Sequence, residues 1–373
     1  MVPAYVRFGW KGGNDPMDIL AYLQEVSQKL GPSGQEREVA QWLAQRFEPL
    51  CDEVRIDPLF NVIALKRATK KGAKPAPKIM LSAHQDEIAL MVADILPDGT
   101  LRMGQVGGVD PRILPASTVV VHSRPEGRKP QTLIGVVGAK PPHLLSATER
   151  KQNYKREDLF IDVGLPVEKV RKLVHVGDLV TLESQTVGLL NGRAAGKTMD
   201  DRACIGVLLE AAERLQGASH AADVYFVCST QEEVGAYGAT VAAHTIDPDL
   251  AVALDVTHAT IPASRPDTTV PLDAPAVTYG PLIQHKLLEK LVDCAKRNHV
   301  AINREPSTRD TGTDVDEIGV VREGIPCVLI DLPLKYMHTA VELLDTEAIR
   351  ESARLLSCYI QEIDEGWDEG LWN

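Results

Sequence analysis

Histidines and carboxylates recur in this sequence directly after stretches whose composition predicts buried strands. They stand at four such strand ends and at one helix start: His84 to Glu87 after 78–83, Glu232 and Glu233 after 224–229, Asp255 and His258 after 250–254, His338 after 327–332, and Asp200 and Asp201 before a helix. Carboxyl ends of parallel strands meet at one edge of an α/β sheet, so we expect the clusters to converge there. A single such residue is more often a turn residue or a helix cap, but several together predict a common site.

Two imidazoles and three or four carboxylates suit a pair of divalent metal ions. Zinc and cobalt accept nitrogen and oxygen ligands together, whereas magnesium and calcium favour oxygen alone. A set without a thiolate argues against a purely structural zinc site. A carboxylate that bridges the two ions would give a hydrolytic centre, in which one of the adjacent glutamates Glu232 and Glu233 could ligate and the other move a proton. Asp200 and Asp201 could still form only a helix cap, and Glu87 and His258 could be bystanders.

The elements that must position these residues alternate between strand and helix. Strands are predicted at 61–65, 78–83, 224–229, 250–254 and 327–332, and helices at 35–47, 201–215, 234–243, 283–298 and 346–363. Between about residues 88 and 193 the pattern changes to short β-prone segments separated by turn signals. We therefore expect an α/β fold with a largely parallel mixed sheet flanked by helices. Its catalytic domain would comprise 1–87 and 194–373, with 88–193 as an inserted, small β-barrel-like domain.

The amino-acid composition of the chain argues against several classes of partner and location. The chain has 373 residues, of which 44% are hydrophobic and 25% charged, and its 40 basic and 52 acidic residues give a net charge of −12. Such an acidic chain is poorly suited to nucleic acid or anionic membranes, so we expect neither as a partner. No apolar stretch approaches the ~18 residues of a membrane span, and residues 1–15 lack the apolar core of a secretory signal. Six scattered cysteines predict free, mostly buried thiols and a cytoplasmic protein.

The ordered motifs resemble one known family, the tetrahedral aminopeptidases, which includes glutamyl, leucyl and deblocking aminopeptidases and some proteins once labelled endoglucanases. The motifs that carry the resemblance are AHQDEI at 83–88, VGGVDPR at 106–112, GVVGAKPPH at 135–143, LFIDVG at 159–164, KTMDDR at 197–202, QEEVG at 231–235, LDVTHA at 254–259, GTD at 312–314 and YMH at 336–338. Each motif is weak alone, but the ordered set covers nearly the whole chain.

The resemblance implies a role for each residue of the predicted centre. Asp200 would bridge two metals, His84 and Asp255 would complete one, Glu233 and His338 would complete the other, Glu232 would be the general base, and Asp86 would orient the imidazole of His84. It also implies a cis peptide bond between Asp200 and Asp201. In the implied reaction, water is deprotonated towards Glu232 and attacks the first peptide carbonyl, and Glu232 then protonates the leaving amine.

The resemblance further implies a hollow dodecamer built from dimers that form through 88–193, with short peptides as substrates. Three positions depart from the family pattern: Gln85 stands where methionine is common, Ala89 where glycine is common and Lys335 where arginine is common. None is an expected ligand, although Gln85 and Lys335 could adjust the pocket. Residues 1–15 are longer than the family needs and could contact a neighbouring subunit. Loops at 262–269 and 307–314 are expected to shape the substrate pocket.

Other functions stay open from sequence alone. A metal-dependent carboxypeptidase or deacylase could use the same centre. A glycoside hydrolase would use two carboxylates, but it would leave both histidines without a role, and adjacent glutamates are badly placed on either side of a sugar bond. A non-catalytic binding protein would be expected to have lost one of the ligands. The preferred N-terminal residue and the native metal, zinc or cobalt, are not determined.

Overall fold

Helices and strands alternate over most of the chain in the computed structural model, which describes residues 17–70, 72, 75–124 and 129–371. The helices are α1 (Ile19–Val26), α2 (Arg37–Phe47), α3 (Val167–Leu173), α4 (Met199–Arg214), α5 (Tyr237–Ile246), α6 (His285–Arg297), α7 (Asp314–Ile318) and α8 (Thr346–Glu362). The strands are β1 (Glu53–Ile56), β2 (Val62–Lys66), β3 (Lys78–His84), β4 (Ala89–Ile95), β5 (Leu101–Val106), β6 (Thr118–Ser123), β7 (Gln131–Ala139), β8 (Leu159–Asp162), β9 (Leu179–Leu182), β10 (Val187–Leu189), β11 (Arg193–Gly196), β12 (Asp223–Ser229), β13 (Leu250–His258), β14 (Ala276–Tyr279), β15 (Asn303–Pro306), β16 (Cys327–Leu334) and β17 (Glu342–Asp345). The segment 1–15, predicted to be an extension, lies outside the described residues.

The central sheet has eight strands in the order β1-β2-β12-β3-β13-β16-β14-β15. Its four inner strands, β12, β3, β13 and β16, run parallel to one another, whereas β2 and β14 are antiparallel to their inner neighbours. Strands β3, β13 and β16 are buried over almost their whole length, as expected for a parallel sheet covered by helices. The predicted largely parallel mixed sheet is therefore confirmed.

Two element boundaries differ from the sequence prediction in ways that affect the site. Strand β13 continues past the predicted end at 254, because it stays paired with β16 as far as His258 and Leu334. Asp255 therefore lies within a strand and does not follow one. The helix predicted from 234 begins only at Tyr237, because Gly235 and Ala236 have positive φ angles, while Glu232–Val234 form a separate 3-10 turn.

The inserted β-barrel-like domain is also confirmed. Strands β4, β5, β8, β7, β6 and β9 close a barrel in that order, around its own cluster of buried residues. Strand β10 falls within 88–193 but pairs with β11, which in turn pairs with β17, so these three strands form a separate small sheet beside the barrel. The dimerisation role of the insertion stays a prediction.

A buried arginine fixes the loop that follows β3. Arg202 has no exposed side-chain surface, and its guanidinium donates to five acceptors: the backbone carbonyls of Val26, Lys29, Gly31 and Gln85 and the carboxylate of Glu87. Glu87 also accepts from Lys197 Nζ at 2.6 Å. This network holds the end of α1 against the segment 84–87, which carries two of the predicted site residues.

All six cysteines are free, as predicted, and four of them are buried. In the parts of the chain that the structure describes, no helix combines the length and the apolar character needed to cross a membrane.

Replacing Arg202 by Met should destabilise the protein by about 3–5 kcal/mol, because the change leaves buried carbonyl oxygens and part of the Glu87 charge without a donor. Urea unfolding followed by circular dichroism, at equal protein concentrations, measures the difference. Arg55→Met on the exposed strand β1 is the matched control, and it should change the free energy of unfolding by less than about 0.5 kcal/mol. Equal unfolding midpoints for the two variants would show that the Arg202 network does not stabilise the fold.

Candidate metal centre

The predicted site residues converge at the carboxyl edge of the four parallel strands. His84 ends β3, Asp255 lies in β13, and the turns after β12 and β16 carry the two glutamates and His338. A cavity of about 510 Å³ opens at this edge. Asp200, Glu232, Glu233, Asp255 and His338 line the cavity, while His84 and Asp86 are buried beside it.

Asp200 lies between the two imidazoles. Its Oδ1 is 3.0 Å from Nε2 of His84, and its Oδ2 is 3.2 Å from Nε2 of His338. Nε2 of His338 also lies 3.4 Å from Oε2 of Glu233. Each oxygen of one carboxylate thus faces a different imidazole, which is the placement needed if that carboxylate is to bridge two cations.

Two groups of possible ligand atoms share His84. In one, the ligand atoms of His84, Asp200 and Glu233 lie within 4.8 Å of one another, and in the other the same is true of His84, Asp201 and Asp255. Asp201 was left open as a helix cap by the sequence, yet it is fully buried and its Oδ2 accepts the backbone N–H of His84. Its Oδ1 has no hydrogen-bond partner among the described residues. The expected cis peptide bond joins Asp200 to Asp201.

Asp86 connects the loop after β3 to the turn after β12. Its Oδ1 lies 3.4 Å from Nδ1 of His84, on the side of the ring away from Asp200. Its carboxylate also accepts the backbone N–H groups of Glu232 and Glu233, at 3.1 and 3.3 Å, and the hydroxyl of Ser33 at 2.7 Å. Asp86 is therefore placed both to orient the His84 ring and to fix the two glutamates relative to it.

The imidazole of His338 is oriented by the inserted barrel domain. Its Nδ1 donates to the backbone carbonyl of Gly108 at 2.9 Å, so Nε2 is left facing Asp200 and Glu233 as a possible metal ligand. A side chain at position 108 would collide with this ring, because a Cβ there would lie 2.8 Å from Nδ1.

Glu342 is a positioning residue that the sequence analysis missed. Its carboxylate accepts the backbone N–H groups of Met199, Asp200 and His338, at 2.7, 3.2 and 2.8 Å. It therefore joins the start of α4 to the segment after β16. No local pattern marks Glu342, because its function depends on where β17 pairs.

The pKa values of the site reflect its crowded carboxylates. Burial opposes protonation of His338, but Asp200 and Glu233 outweigh burial and raise the pKa of His338 to about 11. Burial raises the pKa of Glu232 to about 8; His84 opposes this shift, and Asp314, Glu233 and Asp200 add to it. Burial also acts against ionisation of Asp200, yet the two imidazoles hold its pKa below the ordinary value.

This charge distribution fits two divalent cations. Within the described residues, His84 and His338 are the only basic side chains within 4 Å of Asp200, Glu232 and Glu233, and Asp255 has no such partner. Even two protonated imidazoles would leave these four carboxylates in excess, and buried carboxylates without compensation are strongly unfavourable. The mixture of nitrogen and oxygen donors suits zinc or cobalt.

The loops and flanking residues expected to shape the pocket have simpler environments. Ser307, Thr311, Gly312 and Thr313 of the loop 307–314 line the cavity, as does His258, whereas no residue of 262–269 does so in the described structure. Gln85 is buried and donates to the carbonyl of Phe60, and Lys335 pairs its backbone with Leu343. Neither Gln85 nor Lys335 lines the pocket.

The known proteins that this chain resembles include aminopeptidases and peptidases, and the similarity extends over nearly the whole chain. The model of a family described as M42 glutamyl aminopeptidase matches residues 65–355. Lysyl aminopeptidase from Pyrococcus furiosus is 34% identical over 91% of this chain and 96% of its own length. A TET aminopeptidase from a marine sediment archaeon of the Thaumarchaeota has a TM-score of 0.87 at 32% identity, with 95% of this chain and 98% of that chain covered. The TET1 peptidase of Pyrococcus horikoshii, described as assembling into a tetrahedron or a large octahedral shell, has a TM-score of 0.78 at 26% identity, with 92% and 100% covered.

Replacing Gly108 by Ala should displace the ring of His338 and lower the zinc affinity of the protein by about tenfold or more. Zinc binding to chelator-treated protein, measured by competition with a chromophoric chelator, would show the change. Gly104→Ala is the matched control from the same domain, since a Cβ at 104 meets only ordinary contacts at 3.9 Å. Equal zinc affinities for the two variants would contradict the role of Gly108.

Proposed function

The chain belongs to the M42 glutamyl aminopeptidase family, and we propose that it is a dinuclear metal-dependent aminopeptidase that removes N-terminal residues from short peptides. The observation that carries this proposal is the placement of Asp200, whose two oxygens face His84 and His338 separately. The two imidazoles approach Asp200 from different sides, so each can bind a separate ion. A site for one ion would not require a carboxylate between them.

The ligands divide into two sets that share Asp200. We assign His84 and Asp255 to one ion and Glu233 and His338 to the other, with Asp201 close enough to the first set to contribute to it. When bound, two divalent cations would polarise the scissile carbonyl and lower the pKa of a water molecule. Zinc and cobalt are the metals that this donor set favours.

Glu232 is placed to move the proton. Its Oε2 lies 3.8 Å from Nε2 of His84, it lines the cavity, and its backbone N–H is fixed by Asp86. A carboxylate at this position can take a proton from water and return it to the leaving amine. The neighbouring Glu233 faces His338, so the two adjacent glutamates serve different purposes.

The charge of the cavity favours an aminopeptidase over a carboxypeptidase. Six acidic residues line it, namely Asp200, Glu232, Glu233, Asp255, Glu305 and Asp331, and among the described residues no lysine or arginine does. Glu232, Glu305 and Asp331 are not among the proposed metal ligands, so they would attract a peptide's α-ammonium group and repel a C-terminal carboxylate, which would find no lysine or arginine in the described lining. A glycoside hydrolase is disfavoured because Glu232 and Glu233 are adjacent on one turn, where Asp86 accepts both of their backbone N–H groups, and adjacent carboxylates do not lie on opposite sides of a sugar bond.

We further propose that the chain forms a hollow dodecamer from dimers made through 88–193, as the TET1 relative forms closed shells. The barrel supports this, because it exposes large apolar side chains: Ile134 is 58% exposed, Val136 52%, Leu144 59% and Val176 65%. Ile134 and Val136 are two residues apart on β7 and so lie on the same face of that strand, and adjacent exposed apolar groups are typical of an interface. The cytoplasmic location expected from the sequence stays a prediction.

Chelator-treated protein should lose cleavage of aminoacyl-p-nitroanilides and regain it on addition of zinc or cobalt. Glu232→Gln should lower kcat by about 10²–10⁴-fold at full metal content, because the variant cannot accept a proton from water. Metal analysis and sedimentation check that content and assembly are unchanged, and Glu289→Gln on the exposed side of α6 is the control. Near-normal activity of Glu232→Gln would refute its assignment as the base.

Analytical ultracentrifugation should give a mass near that of twelve subunits of 40.7 kDa, about 490 kDa, in place of about 81 kDa for a dimer. Ile134→Glu combined with Val136→Glu should reduce the mass, because two charges would then lie in the proposed dimer interface. A wild-type species that stays at about 81 kDa while fully active would refute the closed assembly.

A further inference from the structure

The cavity extends away from the metal centre along one face of the central sheet. Asp255 on β13 lies opposite Asp331 on β16, and Asp331 lies opposite Ala276 on β14. Thr278, two residues further along β14, lies opposite Glu305 on β15. Residues that are opposite or two apart share a face of the sheet. Asp331 and Glu305 therefore lie one and three strands beyond Asp255, on the same face.

These two carboxylates form an acidic wall of the cavity. Asp331 is only 2% exposed, and its Oδ2 accepts the hydroxyl of Thr278 at 2.7 Å. Oε1 of Glu305 accepts the hydroxyl of Thr257 at 2.5 Å, whereas its buried Oε2 has no hydrogen-bond partner in the described structure. Both residues line the cavity. Both hydroxyls are neutral, so they supply no positive charge to either carboxylate.

Among the described residues, no lysine or arginine lines the cavity beside this wall. Of the described residues that line the cavity, only His258 and His338 are basic, and His338 is already held by Asp200 and Glu233. Burial raises the pKa of Glu305, although the hydroxyl of Thr257 and the charge of His258 oppose this shift. Burial, and after it the nearby charge of Glu305, raises the pKa of Asp331 well above its ordinary value. Buried carboxylates in this condition are stabilised by a cation that enters from outside.

We infer that Asp331 and Glu305 bind the side chain of the substrate's N-terminal residue and select lysine or arginine. This inference rests on the proposed function, which places the scissile bond beside Asp200. Leu329 and Met337 also line the cavity, and they offer an apolar surface to the methylene stem of such a side chain. Aspartate or glutamate at the N-terminus would be repelled by the same wall.

The test compares the p-nitroanilides of lysine, norleucine and glutamate on the zinc-loaded protein. Norleucine matches the stem of lysine but lacks its charge, so the ratio of the two kcat/KM values isolates the contribution of the ammonium group. We expect lysine to exceed norleucine by about tenfold or more, and glutamate to be the poorest of the three. Asp331→Asn and Glu305→Gln should each lower kcat/KM for lysine by about 10- to 100-fold, mostly through KM. Cleavage of norleucine should change by less than about threefold.

Asp293→Asn on the exposed side of α6 is the matched control, since it removes one carboxylate outside the cavity and should leave the ratio unchanged. Cleavage of norleucine verifies that each variant is folded and loaded with metal. Equal rates for lysine and norleucine in the wild type, or variants that lower both substrates alike, would overturn the inference and leave the proposed aminopeptidase intact. Failure to cleave any substrate with any metal would overturn the proposed function itself, and the assigned pocket with it.

Discussion

Uncompensated negative charge at the carboxyl edge of the central sheet is the constraint on which the rest of the structure depends. Parallel strands bring the carboxylates together there, and burial makes each of them unfavourable unless it is paired. Three kinds of partner meet this demand: backbone N–H groups for Asp86 and Glu342, the guanidinium of Arg202 for Glu87, and the two imidazoles for Asp200. The charge that remains suits this edge to the divalent cations and the cationic peptide terminus of the proposed function.

The inserted barrel contributes directly to this edge, although it has a hydrophobic core of its own. The carbonyl oxygen of Gly108 accepts a hydrogen bond from the ring of His338. Gly107 lies so close to Glu233 that an added Cβ would come within 3.2 Å of that side chain. One imidazole and one carboxylate of the proposed metal centre are thus positioned against the insertion as well as against the sheet. The centre is complete only when barrel and sheet are correctly placed relative to each other.

The sequence predicted the parts of the site that depend on local order. A residue such as His84, directly after an apolar strand, is placed at the sheet edge by the alternation of strands and helices alone, and the barrel followed from the change in pattern after residue 88. The other features of the site depend on how strands that are distant in the sequence pair in the folded protein. Strand β13 extends through Asp255 because β16 continues beside it, and Glu342 reaches the backbone of Asp200 because β17 pairs where it does. Asp201 looked like a helix cap, since nothing in the neighbouring residues shows which way its side chain points.

The acidic wall and most of the proposed metal ligands have different supports, Asp255 on β13 being the exception, and this separation has an evolutionary consequence. Asp331 and Glu305 are carried by strand positions on β16 and β15, whereas His84 and Glu233 lie where a strand gives way to a turn. A single substitution in the wall can change the polarity of the pocket without altering the backbone path of the turns. Substrate preference can therefore diverge among descendants of one ancestral enzyme while the reaction itself is inherited unchanged.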